Sequence, residues 1–259
     1  AKAASSIPVI VKLTPNVASV VPPAKAALDG GADAVSLINT INSIMRVDYD
    51  TLTMYPTTDG MGTHGGYCGE AVKPIALNMV AEIARNRETR ALPISGIGGV
   101  TDWRDAVDFL ALGASNVQIC TAAMVYGFKI IDDLVDGLST FLDDKGITLD
   151  QLVGKAIPSV TDWQYLNLNY VEKAVIDQDL CIKCGRCHVV CEDTSHQAIT
   201  HTVDGERRFE VIDDECVGCN LCVSICPVDS CITMKQTSDG NADKLNWTAH
   251  PNNPMRNTD

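Results

Sequence analysis

Two cysteine runs of identical spacing carry the most specific chemistry in the chain. The first is Cys181-Ile-Lys-Cys184-Gly-Arg-Cys187-His-Val-Val-Cys191; the second is Cys216-Val-Gly-Cys219-Asn-Leu-Cys222-Val-Ser-Ile-Cys226, followed by Pro227. Each is C-x2-C-x2-C-x3-C, a spacing that holds cubane iron–sulfur clusters between thiolates. Thiolates at i, i+3 and i+6 converge on one cluster if the backbone wraps around it in tight turns. The fourth lies a helical turn further on, faces away, and in a two-cluster arrangement ligates the other cluster. The spacing therefore predicts one [4Fe–4S] cluster on Cys181, Cys184, Cys187 and Cys226 and another on Cys216, Cys219, Cys222 and Cys191. Zinc sites usually pair two C-x2-C knuckles, so triple cysteines at three-residue spacing suit tetrahedral zinc poorly. A disulfide framework belongs to small secreted domains, and nothing in residues 1–20 reads as a signal peptide.

The remaining cysteines and the histidines are weaker candidates. Cys231 aligns with Ala198 when the two runs are superposed (Cys231-Ile-Thr against Ala198-Ile-Thr), so it reads as core and not as a ninth ligand. Cys68 and Cys120 could be nucleophiles or acids, although lone cysteines are more often buried small hydrophobes. The five histidines show no metal-binding pattern; His188 and His196 lie beside the cysteine runs.

The elements that must position this chemistry are readable in order. Short apolar runs at residues 7–13, 34–39, 92–97 and 116–120 read as strands, the first of them buried. Each is followed by a loop and an amphipathic stretch. Pro22 and Pro23 fit a first helical turn. Pro74 opens a helix to about Arg85 with Ile75, Met79 and Ile83 on its apolar face, Thr101 reads as the N-cap of a helix to about Leu112, and a last helix runs from roughly Met124 to Lys145. Residues 40–71 read as one long polar, glycine-rich loop, of a length that is usually functional. Four strand–loop–helix units in about 150 residues predict α/β structure amounting to half of a (β/α)8 barrel, which typically takes about 250. An open doubly wound sheet is the alternative, but Gly96-Ile-Gly98-Gly99-Val-Thr101 lacks the last glycine of the dinucleotide fingerprint. The expected organisation is a barrel half over residues 1–154, a connector over 155–173 carrying Trp163, Tyr165 and Tyr170, an α+β ferredoxin-type module over 174–236, and a polar tail over 237–259. The start at Ala1, a few residues before a strand, predicts a segment of a longer polypeptide whose first barrel half is absent. A net charge of −13 speaks against nucleic acid, no apolar run reaches membrane-spanning length, and eleven cysteines in this pattern point to the cytoplasm.

In a barrel the chemistry sits at the C-terminal ends of the strands, and phosphate is often held by the loops after the last two. Gly98-Gly99 follows the penultimate apolar run and Cys120-Thr121 ends the last. A phosphorylated cofactor beside an iron–sulfur module suggests FMN, because flavins couple one-electron carriers to two-electron chemistry. Glycine pairs also make ordinary turns, and both readings stay open. Lys12 could stabilise an anionic flavin, or snorkel to solvent at the rim. Asn39 and Thr40 could hydrogen-bond a neutral planar substrate, or simply serve the turn.

With these residues in hand the chain resembles the FMN and iron–sulfur subunits of bacterial NAD-dependent dihydropyrimidine dehydrogenases, and the C-terminal part of the single-chain animal enzymes. The likeness rests on Val9-Ile-Val-Lys12-Leu-Thr-Pro-Asn16, Gly31-Ala-Asp-Ala-Val-Ser-Leu-Ile-Asn39-Thr40, Thr63-His-Gly-Gly-Tyr-Cys-Gly69, Ile94-Ser-Gly-Ile-Gly-Gly99, Val117-Gln-Ile-Cys120-Thr121, Thr161-Asp-Trp to Tyr170, and the run from Cys181 to Ile199. It implies that Lys12, Gly69, Gly98, Gly99, Cys120 and Thr121 contact FMN and that Asn39 and Thr40 contact uracil or thymine. It implies hydride delivery to C6 of the pyrimidine and protonation at C5 by a cysteine on a loop preceding residues 8–13, so that the general acid lies upstream of Ala1 and no catalytic residue lies within this sequence. It further implies a hetero-oligomeric partner, a flavoprotein subunit carrying FAD and the NAD(H) site, with the clusters relaying electrons between flavins. A dihydroorotate dehydrogenase-like FMN oxidoreductase and a non-catalytic iron–sulfur electron carrier are the competing expectations.

Overall fold

The structure, a computed structural model, describes residues 2–167, 170–193 and 196–238. The chain divides into two compact units, residues 1–161 and 162–259. The polar tail expected from residue 237 lies, beyond Ser238, outside the described residues.

In the first unit β1 (Ile10–Lys12), α1 (Val21–Asp29) and β2 (Ala34–Leu37) are followed by four short strands: β3 (Ile41–Ser43), β4 (Arg46–Val47), β5 (Met54–Tyr55) and β6 (Gly65–Tyr67). Then come α2 (Lys73–Arg85), β7 (Ile94–Ile97), α3 (Trp103–Ala111), β8 (Asn116–Gln118), α4 (Thr121–Tyr126), α5 (Ile130–Lys145) and α6 (Leu149–Leu152). Strands β1, β2, β7 and β8 form one sheet in that order, every pairing parallel. A parallel pair cannot be closed by a tight turn, so each crossover carries a helix that buries its apolar face on the sheet. Helix α1 starts with its prolines in the first turn, where missing N–H donors cost nothing. Gly96 in β7 leaves room for the fully buried Phe109 of α3, since a Cβ there would lie 2.5 Å from the ring.

Several expectations need correction. Residues 7–13 do not form a buried strand: β1 is an edge of the sheet, and Ile7 and Ile10 are exposed. The loop over 40–71 contains two antiparallel pairs, β3 with β6 and β4 with β5. In α2 the buried stripe is Ala76, Met79, Val80 and Ile83, so the apolar face is centred off Ile75, which is exposed. The N-cap of α3 is Asp102, because Thr101 is engaged by Asp105 instead. The single helix expected over 124–145 is two, broken at Gly127, whose φ of +79° a helix does not accommodate.

The second unit begins with the aromatic residues Trp163 and Tyr165, which are exposed. It contains β9 (Glu172–Ile176), α7 (Arg186–Asp193), β10 (Thr202–Val203), β11 (Glu206–Arg207), α8 (Leu221–Ile225) and β12 (Ile232–Gln236). β9 pairs antiparallel with β12, and Ile199 bridges Val211. The strand entering each cysteine run thus pairs with the segment leaving the other, which closes the two repeats into one α+β unit. The repeats share backbone geometry as well as spacing. Lys183 and Gly218, then Gly185 and Asn220, then Gln197 and Ser230, all adopt positive φ at matching places. These left-handed residues turn the backbone tightly enough for the cysteines to converge.

Candidate functional site

At the C-terminal ends of the parallel strands of the first unit lies a cleft of about 450 Å³, within the range of small-molecule and cofactor sites. All eight residues expected at the flavin and substrate positions line it: Lys12, Asn39, Thr40, Gly69, Gly98, Gly99, Cys120 and Thr121. Lys12 ends β1 and has no ion-pair partner among the described residues. Gly98 and Gly99 follow β7 with φ of +139° and +77°, conformations open to glycine and strained for other residues. Their missing side chains are also demanded by protein packing. A Cβ on Gly98 would lie 2.9 Å from Cβ of Ala76, and one on Gly99 would lie 2.9 Å from the Gly69 carbonyl and from Cβ of Lys73. The turn after β7 is therefore both an ordinary close-packed turn and a stretch of bare backbone facing the cleft.

Residues not expected from sequence hold this cleft in shape. Asn16 donates through Nδ2 to the Thr40 carbonyl at 3.1 Å and accepts from the Asn42 N–H at 2.9 Å, tying the loop after β1 to the loop after β2. Gly66 lies so close to Thr40 that a Cβ would collide with the threonine side chain. Lys12, Ser36, Ser95 and Asn116 stand in one register across the four strands. Ser36 and Ser95 are buried, and the Gln118 amide donates to both hydroxyls, at 3.1 and 2.6 Å. Ser95 in turn pairs with the Asn116 side chain. A polar row inside a parallel sheet is costly unless every member is bonded. The signal for it was serine at inward positions of otherwise apolar strands.

A charged brace lies behind the glycine turn. Lys73, at the start of α2, donates to Asp105 at 2.5 Å and to Asp108 at 3.1 Å. Asp105 also accepts from the Thr101 N–H and hydroxyl, both at 2.8 Å. Burial pushes the Asp105 carboxyl upward, but the hydrogen bonds from Lys73, Thr101 and Asp102 outweigh it and hold the group below its ordinary value. The Lys73 ammonium is raised, first by its hydrogen bond to Asp105 and against the cost of burial.

In the second unit the cysteines fall into two cavities. One is lined by Cys181, Cys184, Cys187 and Cys226, together with Cys231; the other by Cys216, Cys219, Cys222 and Cys191. Each cavity takes three thiols from one run and the fourth from the other. Among the described residues no group of three His, Cys, Asp or Glu could hold a single metal ion. Four thiols around one cavity are the donor set that a polynuclear cluster needs. Burial, followed by the neighbouring Cys181, Cys184 and Cys222, pushes the Cys187 thiol up to about 11, so that it ligates as a thiolate only when metal displaces its proton. Burial, then Cys226 and Cys181, pushes Cys231 up to about 12, and its Sγ–H donates to the Asp177 carbonyl at 3.7 Å. The Ala198 N–H donates to Cys191 Sγ at 3.2 Å. Among the described residues, no helix is long and apolar enough to cross a membrane.

The comparisons agree with this division. Residues 1–142 match the dihydroorotate dehydrogenase family and residues 174–234 match a 4Fe-4S dicluster domain. FMN and two [4Fe–4S] clusters are the cofactors these matches bring, and the cleft and the paired cysteine cavities fit them. The chain is 38% identical to the NAD-dependent dihydropyrimidine dehydrogenase subunit PreA of Escherichia coli over 234 residues, 90% of this chain and 56% of that protein. It is 35% identical to the chloroplastic dihydropyrimidine dehydrogenase (NADP(+)) of Arabidopsis thaliana over 189 residues, 71% of this chain and 43% of the relative. It is 41% identical to the catalytic subunit of dihydroorotate dehydrogenase B (NAD(+)) of Thermococcus kodakarensis over 157 residues, 60% of this chain and 49% of the relative. The chain spans about half the length of the curated relatives it matches. With its first unit matched across more than half of the sequence, the chain belongs to the dihydroorotate dehydrogenase family, a TIM-barrel α/β family, and continues into a ferredoxin-type dicluster unit.

Proposed function

We propose that the chain is the pyrimidine-reducing, electron-relaying part of an NADH-dependent dihydropyrimidine dehydrogenase. The observation that carries this reading is the extent of the likeness to the E. coli subunit: 234 aligned residues exceed the 161 of the first unit, so the similarity runs through both the cleft and the cysteine cavities. The clusters are held by Cys181, Cys184, Cys187 and Cys226 and by Cys216, Cys219, Cys222 and Cys191. Lys12, Gly69, Gly98, Gly99, Cys120 and Thr121 hold FMN, and Asn39 and Thr40 hold the pyrimidine. When bound, FMN exchanges a hydride equivalent with the C5=C6 bond of the pyrimidine and single electrons with the clusters.

The chain's own residues select and orient. The Asn39 carboxamide oxygen accepts from the Thr40 N–H at 2.9 Å, which leaves its NH₂ to donate to a substrate carbonyl. Asn16 fixes the backbone that presents both side chains. Lys12 supplies a fixed positive charge where negative charge accumulates on reduction, the kind of preorganised electrostatic stabilisation that lowers barriers most. Neither Cys68 nor Cys120 is assigned as proton donor, although both line the cleft. The partner is a subunit bearing FAD and the NAD(H) site, in a cytoplasmic hetero-oligomer.

A dihydroorotate dehydrogenase activity is the second reading, favoured by the 41% identity over 157 residues to the Thermococcus kodakarensis catalytic subunit. The test is turnover by the purified complex with NADH, offering uracil, thymine and orotate in parallel, with flavins identified after acid release. Uracil or thymine reduction with both FMN and FAD released is the expected result. Orotate turnover without uracil turnover, or the absence of FMN, overturns the proposal.

A further inference from the structure

Each cysteine run is gripped by one cation that comes from the other repeat. Lys173 lies on β9, which leads into the first run, yet its Nζ donates to the carbonyls of Asp213 at 2.6 Å and Cys216 at 2.5 Å, at the mouth of the second run. Arg207 lies on β11, which leads toward the second run, yet its Nε donates to the Lys183 carbonyl at 3.0 Å and its Nη2 to the Cys184 carbonyl at 3.4 Å, inside the first. Both grips cross from one repeat to the other, but they take different positions of the run: Lys173 holds the carbonyl of the first cysteine of the second run, and Arg207 holds the segment at the second cysteine of the first. Each run also carries a glycine that makes room for the clasping strand. A Cβ on Gly185 would lie 2.9 Å from Nη2 of Arg207, and one on Gly218 would lie 2.5 Å from the Glu172 carbonyl.

Neither cation forms an ion pair with a carboxylate among the described residues. Carboxylates are nevertheless close in sequence, Asp213, Asp214 and Glu215 lying directly before the second run. Both cations direct their charge at backbone carbonyls within three residues of the cluster cysteines. A cluster on four thiolates is anionic and gains a further negative charge on reduction, and its potential follows net charge, hydrogen bonding and exposure.

We propose that Lys173 and Arg207 are positioning residues that each set the reduction potential of one cluster. Lys173 acts on the cluster of Cys216, Cys219, Cys222 and Cys191, and Arg207 on that of Cys181, Cys184, Cys187 and Cys226. This rests on the cluster assignment made under the proposed function. The crosswise arrangement makes the prediction specific: each substitution acts on the cluster whose run lies in the other repeat. Removing the charge weakens the reduced state of that cluster alone, by about tenfold in its reduction equilibrium, or about 59 mV for one electron.

The experiment is a redox titration of the purified full chain, followed by low-temperature electron paramagnetic resonance, for wild type, Lys173→Met and Arg207→Met. The expected result is that one signal falls in potential in the lysine variant and the other in the arginine variant, with Lys173→Arg and Arg207→Lys restoring the wild-type values. Both signals moving together, the same signal moving in both variants, or no movement at full iron content overturns the proposal. If a methionine variant loses iron, recovery of iron and potential in the charge-conserving variant supports it, and failure to recover either overturns it. Wild-type chain lacking iron and sulfide defeats the cluster assignment itself, and with it the proposal, which separates that failure from a failure of the cations.

Discussion

Lys12 brings an ammonium group to the cleft and forms no ion pair among the described residues, although Glu70 lines the same cleft, so its charge is available to a ligand. Replacing it by methionine keeps the length of the side chain and removes the charge. Lys12→Met should lower kcat of pyrimidine reduction by about a hundredfold, the range for losing one preorganised electrostatic group, with little change in unfolding midpoint; steady-state kinetics and denaturant titration together check this. Asn16 and Gly66 act one step back from the ligand, through the Thr40 backbone and side chain. Gly66→Ala should push the Thr40 hydroxyl out of place and raise KM for uracil more than it lowers kcat, while iron content stays unchanged. That Lys12, Asn39, Thr40 and Thr121 gather at one cleft was legible because polar groups at the ends of apolar runs stand out against their neighbours, whereas Gly69 was reached only through the family resemblance. Asn16 and Gly66 were not, because what makes them matter is a partner 24 to 26 residues away, and spacing within one run says nothing about that.

Among the elements, the strands and helices of the first unit followed from hydrophobic period and from proline and glycine punctuation. The small antiparallel pairs β3–β6 and β4–β5 escaped because two- and three-residue strands carry no period. The brace from α2 to α3 escaped because its lysine and aspartates lie 32 and 35 residues apart and each reads alone as a solvated charge. It sets the height of the glycine turn: Gly99 packs against Lys73, and Lys73 is tied to the helix that follows Gly99. With both side chains less than a third exposed, the pair is sheltered enough to matter. The depressed Asp105 carboxyl contributes stability that is present above its ordinary value of 3.8 and is lost as pH falls through its lower folded value. The raised Lys73 ammonium contributes below 10.5 and its share is lost as pH rises through its higher folded value. Lys73→Met should therefore destabilise the first unit by about 2 kcal/mol at neutral pH, with a difference from wild type that shrinks as pH falls below 3.8 and through the lowered folded value of Asp105. Urea titrations at both pH values measure it, and a difference independent of pH would show that lost packing, not the charged pair, is responsible.

For the molecule as a whole, the two units differ in what holds them together. The first has a core of twenty buried apolar residues spread over sheet and helices, with Phe109, Leu37, Ile83 and Ile94 almost inaccessible. Among its described residues the second has a core cluster of eight buried residues, of which Cys187, Cys222 and Cys231 are three, and further cluster cysteines fill the space around them. So small an apolar core does not offset the entropy of ordering a unit of this size, and small domains in that position depend on metal or cross-links. The cysteine runs announce this dependence in sequence, since residues committed to thiolate ligation are residues withheld from aliphatic packing. Metal binding then becomes folding free energy for the second unit, while the first, whose core draws no residue from the cysteine runs, has no such debt. The chain should accordingly unfold in two calorimetric transitions when iron-loaded. Removing iron with a chelator under anaerobic, reducing conditions should abolish the transition of the second unit and most of its amide protection from hydrogen exchange over residues 172–236. The transition of the first unit should remain. Retention of both transitions in iron-free protein would mean that the aliphatic remnant around Ile176, Phe209 and Ile232 suffices alone, and that the clusters serve electron transfer without serving the fold.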